Sequence, residues 1–170
     1  ALGPDPAQGA SLAGAPGLSF ETVYEQHFDF IWRALRCFGL TPPALEDAVQ
    51  DVLLTAYRRL GTFEYRSSVR TWLFGIAYRV ALNYRRHQRR KGRLDELSED
   101  VPALGAGPDQ QLEEAQALRF VELFLDTLDD ERRAVFVLCE IEQVAAPEAA
   151  TALGVKLNTI YSRLRLARRD

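Results

Sequence analysis

Arginine gathers at two places in the 170-residue chain. Residues 85–93 read RRHQRRKGR, where Arg85, Arg86, Arg89, Arg90, Lys91 and Arg93 meet no acid and give a local charge of +6. Residues 156–170 set Lys156, Arg163, Arg165, Arg168 and Arg169 against Asp170, a local charge of +4. Between them, residues 94–114 hold Asp95, Glu96, Glu99, Asp100, Asp109, Glu113 and Glu114 and no base, a local charge of −7. A single basic run is often only a solvated surface. Two of them, each ending a helical segment, suit two separated contacts on one polyanion, because clustered arginine displaces counterions from a phosphate backbone. The acidic stretch would be repelled by DNA, or could occupy a nucleic-acid path on a partner.

Two motifs carry this further. The last third, PEAATALGVKLNTIYSRLRLARRD, puts Pro147 at a helix start and Gly154 at its end, followed by a short turn and a closing helix. That is helix-turn-helix grammar. In the closing helix Ile160, Leu164 and Ala167 recur at i, i+4 and i+7 and face inward, leaving Thr159, Tyr161, Ser162, Arg163, Arg165 and Arg169 on other faces. The first turn of such a helix enters the major groove, where Ser, Thr and Arg read base edges, and later arginines hold phosphates. The bland alternative is a plain helical hairpin with a polar face. The second motif, TFEYRSSVRTWLFGIAYRVALNYRRHQRR, interleaves Phe63, Tyr65, Trp72, Phe74, Tyr78 and Tyr84 with Arg66, Arg70, Arg79, Arg85 and Arg86. Unpaired bases stack on flat side chains, at roughly 1–3 kcal/mol per base, while cations hold the backbone. Trp72 is spaced with Leu73 and Ile76 as core, so Phe63, Tyr65 and Asn83, near breaks or on a polar edge, are better placed for contact.

A third group is acidic. Asp47, Gln50 and Asp51 fall at i, i+3 and i+4, opposite the apolar stripe of their helix. Periodicity alone makes this an ordinary solvent face or a protein-docking face. Catalysis has little support: no His, Lys or nucleophile aligns with the carboxylates, and no Gly-rich phosphate loop occurs. Cys37 and Cys139 lie far apart and share no metal-ligand spacing with His27 or His87, so neither a disulfide framework, a metal site nor a cofactor is expected. The net charge of −3 argues against a uniformly basic coat for nucleic acid, and 47% apolar residues allow a packed core. No apolar stretch approaches the ~18 residues of a membrane span, and the opening lacks a signal peptide's basic start, so a cytoplasmic protein without membrane insertion is expected. A start at Ala1 with no Met anywhere suggests that the first residue is not the translated one.

The elements that must position these groups read as helices throughout, with no hairpin signal. Residues 1–18, rich in Gly, Pro, Ala and Ser, are expected to be a disordered arm. Phe20, Val23, Tyr24, Phe28, Ile31, Trp32, Leu35 and Phe38 mark a first helix, capped by Ser19 and closed by Gly39. Thr41 and Pro42 start a second, with Leu45, Ala48, Val49, Val52, Leu53, Ala56, Tyr57 and Leu60 inward and Gly61 as a left-handed terminator. Ser67 or Ser68 opens a third helix that runs to Lys91. Residues 92–110 read as a flexible acidic linker. Leu112, Ala115, Leu118, Val121, Leu125 and Leu128 then mark another helix, and Asp129 caps the next. The expected architecture is all-α, with small helical domains at 19–91 and 111–170.

Taken together, LEDAVQDVLLTAYRRL, SSVRTWLFGIAYRVALNYRRHQRR, the acidic linker, LDTLDDERRAVFVLCEIE and PEAATALGVKLNTIYSRLRLARR resemble a bacterial sigma factor of the sigma-70 family, in its extracytoplasmic-function group, from about Phe20 to Arg169. The resemblance implies regions 2 and 4 as the only conserved domains, and a factor that binds core RNA polymerase, recognises minus-35 and minus-10 promoter elements and promotes DNA melting without catalysing a reaction. It implies that Asp47, Gln50 and Asp51 dock on the β′ clamp helices, and that region 4 meets the β flap. Phe63, Tyr65, Tyr78, Arg79 and Asn83 would grip the minus-10 element, with a flipped base read around Arg79 and Asn83 and with Arg85, Arg86, Arg89 and Arg90 on its backbone. Asn158, Thr159, Tyr161, Ser162, Arg163, Arg165 and Arg168 would form the minus-35 surface. The linker would thread polymerase toward the RNA exit path, and an anti-sigma factor would hold the protein inactive. Three departures stand out. Arg79 sits where Asn is common, Ala146 replaces the usual Ser or Thr cap, and the chain stops at Asp170 where relatives often continue, so a further C-terminal portion is expected. The competing reading is a stand-alone dimeric helix-turn-helix regulator.

Overall fold

The computed structural model describes residues 18–92 and 119–169. The expected arm, apart from Leu18, and the linker, apart from Gly92, lie outside the described residues, as do Leu112, Ala115 and Leu118. Among the described residues all regular structure is helical: α1 (Phe20–Cys37), α2 (Ala44–Arg59), a 3-10 turn (Leu60–Thr62), α3 (Val69–Gly92), α4 (described over 119–127), α5 (Asp130–Phe136), a π turn (Val137–Ile141), α6 (Ala146–Leu153) and α7 (Leu157–Ala167).

Helix α1 begins where expected, with the Ser19 hydroxyl accepting from the Thr22 amide at 3.2 Å. It ends in a Schellman arrangement, which satisfies carbonyls that the last turn leaves free. Gly39 at φ +74° donates to the Arg36 carbonyl at 2.8 Å, and Leu40 donates to that of Leu35 at 3.4 Å. The buried face of α1 is Val23, Phe30, Ile31, Ala34 and Leu35. The expected stripe was rotated: Tyr24 is exposed, and Phe20, Phe28 and Trp32 lie along the margin, half-buried, with ring centroids 5.3 Å apart for Tyr24–Phe28 and 6.2 Å for Phe28–Trp32.

At the start of α2 the Thr41 side chain does not cap. Its backbone carbonyl accepts from Leu45 at 3.0 Å, and Pro43 occupies the N-cap position without a side-chain bond. Glu46 and Asp47 in the first turn and Arg58 and Arg59 in the last complement the helix dipole. Two expectations for the end of α2 fail. Gly61 is not left-handed, because the chain tightens into the 3-10 turn, and the left-handed residue is Tyr65 at φ +55°. Tyr57 is not inward but 49% exposed. Ser68 opens α3, its hydroxyl accepting from the Thr71 amide at 3.1 Å, and Leu73, Phe74, Ile76, Ala77 and Ala81 bury its inner face against α1 and α2.

The C-terminal unit packs around Leu125, Leu128, Ala134, Val135, Leu138, Ala149, Ile160, Leu164 and Ala167. Val121, expected inward, is exposed. Helix α6 lacks a side-chain cap, as the alanines before it foreshadowed, with the N-cap at Ala145, and Gly154 at φ +68° ends it in the left-handed conformation. Asp129 caps α5, accepting from the Arg132 amide at 2.8 Å, and its carboxylate also pairs with the Arg132 side chain at 2.8 Å. Burial of the Asp129 carboxyl acts to raise its pKa, but the bonds from Arg132 outweigh it and hold the group below its ordinary value. A depressed carboxylate contributes stability above the unfolded pKa of about 4 and loses it as pH falls through the folded value. Asp129→Ala should therefore lower the unfolding free energy by about 1 kcal/mol at neutral pH, and urea titrations should show this difference shrinking below about pH 4.

Candidate nucleic-acid interface

Helix α3 carries the first surface. The 3-10 turn and the left-handed Tyr65 fold the connector back over its N-terminal half, so that the Phe63 ring lies 4.6 Å from Tyr65 and 5.0 Å from Trp72. Phe63 and Trp72, with Thr62, Glu64, Arg66, Ser67, Arg79, Thr151 and Ala152, line an open cavity of about 260 Å³, and Tyr65 stands beside it against Phe63. Aromatic faces beside guanidinium groups are what an unstacked base and its phosphate require. Trp72 is half-buried: it serves as core on one side and as pocket wall on the other. Asn83 lies one turn beyond Arg79, and both are exposed. Tyr78 turns away from this group. Its ring packs 5.7 Å from Phe38, and burial, aided by Glu131, raises its pKa.

The basic end of α3 divides in two. Arg86 and Arg90 are exposed. Arg85 is half-buried, donating to the Phe38 carbonyl at 2.6 Å and pairing with Asp130 at 2.8 Å, while Arg89 reaches the same carboxylate at 3.1 Å. Burial, with the Arg133 charge nearby, lowers the pKa of Arg85.

Helix α7 carries the second surface. Ile160, Leu164 and Ala167 are buried as their spacing requires, so α7 sits on α5 and α6 and turns its other side outward. Asn158, Tyr161 (53% exposed), Ser162, Arg165, Arg168 and Arg169 lie on the exposed side. Tyr161, Leu164, Arg165, Arg168 and Arg169 line a shallow hollow of about 390 Å³. Arg163 is mostly covered and ion-paired with Glu131, where it braces α7 against α5, and Thr159 is half-buried. Arg168 pairs with Glu140 at 2.6 Å.

The third surface is the outer face of α2. Asp47, Gln50 and Asp51 are all exposed. Leu54, 51% exposed, extends this face one turn, and Tyr57 is half exposed further along the helix. Leu54 is an apolar residue at i+7 from Asp47, on a face otherwise read as polar, and that mismatch was a usable signal. Asp51 accepts from the Tyr84 hydroxyl at 2.9 Å, which ties α2 to α3. Burial and this bond together push the Tyr84 pKa up to about 12.

Sequence reasoning also missed a set of groups that join the two helical units: Arg133, Asp126, Asp130, Glu142 and Glu148. Arg133 is 1% exposed, held by Asp126 at 2.7 Å and close to the Cys37 carbonyl at 3.4 Å. It lies in an unremarkable run, DERRAVF, and no periodicity distinguishes it from its less buried neighbour Arg132. Cys37 and Cys139 are free thiols, and burial raises Cys37 to about 11. Among the described residues no cluster of His, Cys, Asp or Glu could hold a metal ion, and no helix is long and apolar enough to cross a membrane.

Comparison with known proteins agrees with this two-part layout. The Sigma-70 region 2 model matches residues 23–91, and the Sigma-70 region 4 model matches residues 121–170. RNA polymerase sigma factor NccH of Alcaligenes xylosoxydans xylosoxydans is 29% identical over 158 residues, covering 88% of this chain and 83% of the relative. ECF RNA polymerase sigma factor SigM of Mycobacterium tuberculosis (strain H37Rv) is 31% identical over 150 residues, covering 88% and 74%. Among solved structures, CnrH in complex with the cytosolic domain of CnrY has a TM-score of 0.63 at 28% identity, covering 88% of this chain and 82% of that one. RpoE in complex with the anti-sigma factor NepR from Bartonella quintana shares the fold, with a TM-score of 0.63 at 22% identity. For the Asp51–Tyr84 tie, ultraviolet difference titration should find one tyrosine ionising only near pH 12, and Tyr84→Phe should abolish that last step.

Proposed function

The chain belongs to the sigma-70 family of RNA polymerase sigma factors, in the extracytoplasmic-function group, and we propose how its three surfaces divide the work of directing polymerase to promoters. Its partners are core RNA polymerase and promoter DNA. Factors of this family are typically non-enzymatic: they act by binding and by holding DNA open.

In this reading the α2 face of Asp47, Gln50, Asp51 and Leu54 docks on the clamp helices of the β′ subunit, and the C-terminal unit meets the β flap. The tie from Tyr84 to Asp51 supports the role by holding that carboxylate and placing the docking face and the basic end of α3 in one rigid body. The pocket of Phe63, Trp72 and Arg79, with Tyr65 and Asn83 beside it, holds an unpaired base of the minus-10 element. Extracting a base costs a few kcal/mol, and one or two stacking contacts of about 1–3 kcal/mol each offset it. Arg85, Arg86, Arg89 and Arg90 continue along the strand as phosphate contacts. Tyr78 contributes by bracing α3 on Phe38 rather than by touching a base. On α7, Asn158, Tyr161, Ser162 and Arg165 face the major groove of the minus-35 element, with Thr159 at their edge. Arg168 and Arg169 hold phosphates, and Arg163 secures the helix. The CnrH structure holds the cytosolic domain of CnrY and the RpoE structure an anti-sigma factor, which supports an anti-sigma partner covering the same surfaces here.

The observation that carries the reading is the order along one chain of an aromatic, arginine-flanked cluster at 63–79, inside the region 2 match, and an exposed recognition helix inside the region 4 match. A stand-alone dimeric regulator is not favoured, because it leaves the pocket and the α2 face without a role. Run-off transcription with core polymerase on a genomic fragment library tests it: new initiation sites should depend on this protein, and their absence across salt conditions would sink the assignment. Asp51→Arg should weaken core binding at least about tenfold, equivalent to ~1.4 kcal/mol. Arg165→Ala should leave core binding intact and lose about 1–3 kcal/mol of upstream-element discrimination.

A further inference from the structure

The two units are packed face to face, and the face of α3 that they share is the one assigned above to the minus-10 strand. Four contacts cross it. At the N-terminus of α3, Glu148 of α6 accepts from the Ser68 amide at 2.9 Å, and this bond holds its carboxyl below the usual range. Arg70 is ion-paired with Glu142, which follows the π turn. Midway, α3 and α6 approach so closely that a Cβ on Gly75 would lie 2.7 Å from the Ala152 carbonyl oxygen, and Thr151 and Ala152 form one wall of the aromatic pocket. At the basic end, Asp130 of α5 takes both Arg85 and Arg89. Glu148 and Glu142 thus anchor the C-terminal unit at the N-terminal end of α3, and Asp130 occupies Arg85 and Arg89, two of the arginines proposed to hold DNA phosphates. A backbone carbonyl lies over the helix beside the pocket.

We propose that the C-terminal unit closes over α3 as an intramolecular competitor of the promoter strand, and that the close approach of Ala152 to Gly75 is what lets it seat. The proposal rests on the assignment of the α3 face to DNA. Most of the ion pairs are exposed and individually weak, so closure depends on fit, and fit depends on the missing side chain at Gly75. The chain by itself covers part of its melting surface, the Asp130-paired arginines and one wall of the pocket, while Arg79, Asn83, Arg86 and Arg90 stay exposed. Engagement of the two units at separate sites, by polymerase or by promoter DNA, removes α5 and α6 and frees Arg85, Arg89 and the pocket together.

The substitution Gly75→Ala separates closure from folding. Alanine favours an α-helix over glycine, so α3 gains rather than loses helical preference, while the new Cβ collides with backbone that cannot rotate away. In the full chain, small-angle scattering should give a larger radius of gyration for Gly75→Ala than for wild type. A short, mixed-sequence single-stranded DNA should bind it at least about tenfold more tightly, equivalent to ~1.4 kcal/mol. Asp130→Asn with Glu148→Gln removes two of the three junction charges, Glu142 remaining, without the collision and should shift both readings the same way, which covers the case that Gly75→Ala melts early. Unchanged dimensions and unchanged DNA affinity in both variants would overturn the proposal. So would an expanded chain that binds DNA no better. Failure of the sigma-factor reading has a different signature, since wild type and variants alike would then fail to start transcription with core polymerase.

Discussion

A helix presents its side chains at fixed angles, and α3 has to serve several neighbours with one set of them. Leu73, Phe74, Ile76, Ala77 and Ala81 occupy the angular range that faces α1 and α2. What α3 itself is proposed to offer DNA sits on the remainder: Arg79 and Asn83 one turn apart, then Arg85, Arg86, Arg89 and Arg90 beyond the core's edge. Burial of the apolar range locks the rotation of α3, and that rotation aims each arginine. The Tyr84 hydroxyl bonded to Asp51 and the Arg85 guanidinium bonded to the Phe38 carbonyl secure the exposed end, where apolar packing runs out. A weakened core under α3 would therefore disturb the polymerase face and the DNA face together, the latter directly through Trp72.

Local chemistry was legible in the sequence wherever the determining groups lie within a few residues of one another. Ser19, Ser68 and Asp129 cap, Gly39 and Gly154 terminate, and Ile160, Leu164 and Ala167 point inward, because caps and periodicity are local properties. The misses share a cause. Periodicity marks an apolar stripe but not which edge of it a neighbour covers, so Tyr24, Tyr57 and Val121 were placed inward and are exposed. Gly61 has the composition of a terminator, yet the chain tightened into a 3-10 turn and moved the left-handed residue to Tyr65. Arg163 and Tyr78 are covered by Glu131 and Phe38, partners distant in sequence that spacing does not report. Local charge totals of +6 and −7 likewise cannot report that acids beyond the linker meet the arginines before it.

Arg133 shows how costly such a meeting can be. Its side chain is nearly inaccessible, yet its ion-pair partner Asp126 is largely exposed, and its Nε is buried without a hydrogen-bond partner. Desolvating a guanidinium is expensive, and a pair that is half in water returns only part of that cost. Close by, the carbonyl end of α1 supplies a fixed negative pole, with Phe38 accepting from Arg85 and Cys37 within 3.4 Å of Arg133. Two cations converging on one helix terminus repel each other, so the Arg85 pKa is lowered first by burial and then by the Arg133 charge. The junction between the units is therefore specific in geometry without being deeply stabilising, as a contact that must open during function requires.

Glu148 links this balance to the missing cap on α6. It stands at the third position of a helix whose N-cap is Ala145, the place from which a glutamate can bond back to the N-cap amide of its own helix. In the packed arrangement it bonds instead to the Ser68 amide at the start of α3, supplying to one unit the satisfaction it would otherwise give the other. Separation frees Glu148 to turn back on α6, so the bond lost across the junction is replaced within the helix-turn-helix unit. The Ser68 amide, released in turn, is one of the free N–H groups at a helix N-terminus, where an anion is favourably placed. The bond that Glu148 gives up across the junction is one it can regain on its own helix, at no net loss to the C-terminal unit. That conservation lets a contact between the units compete with DNA without trapping the chain in the closed arrangement.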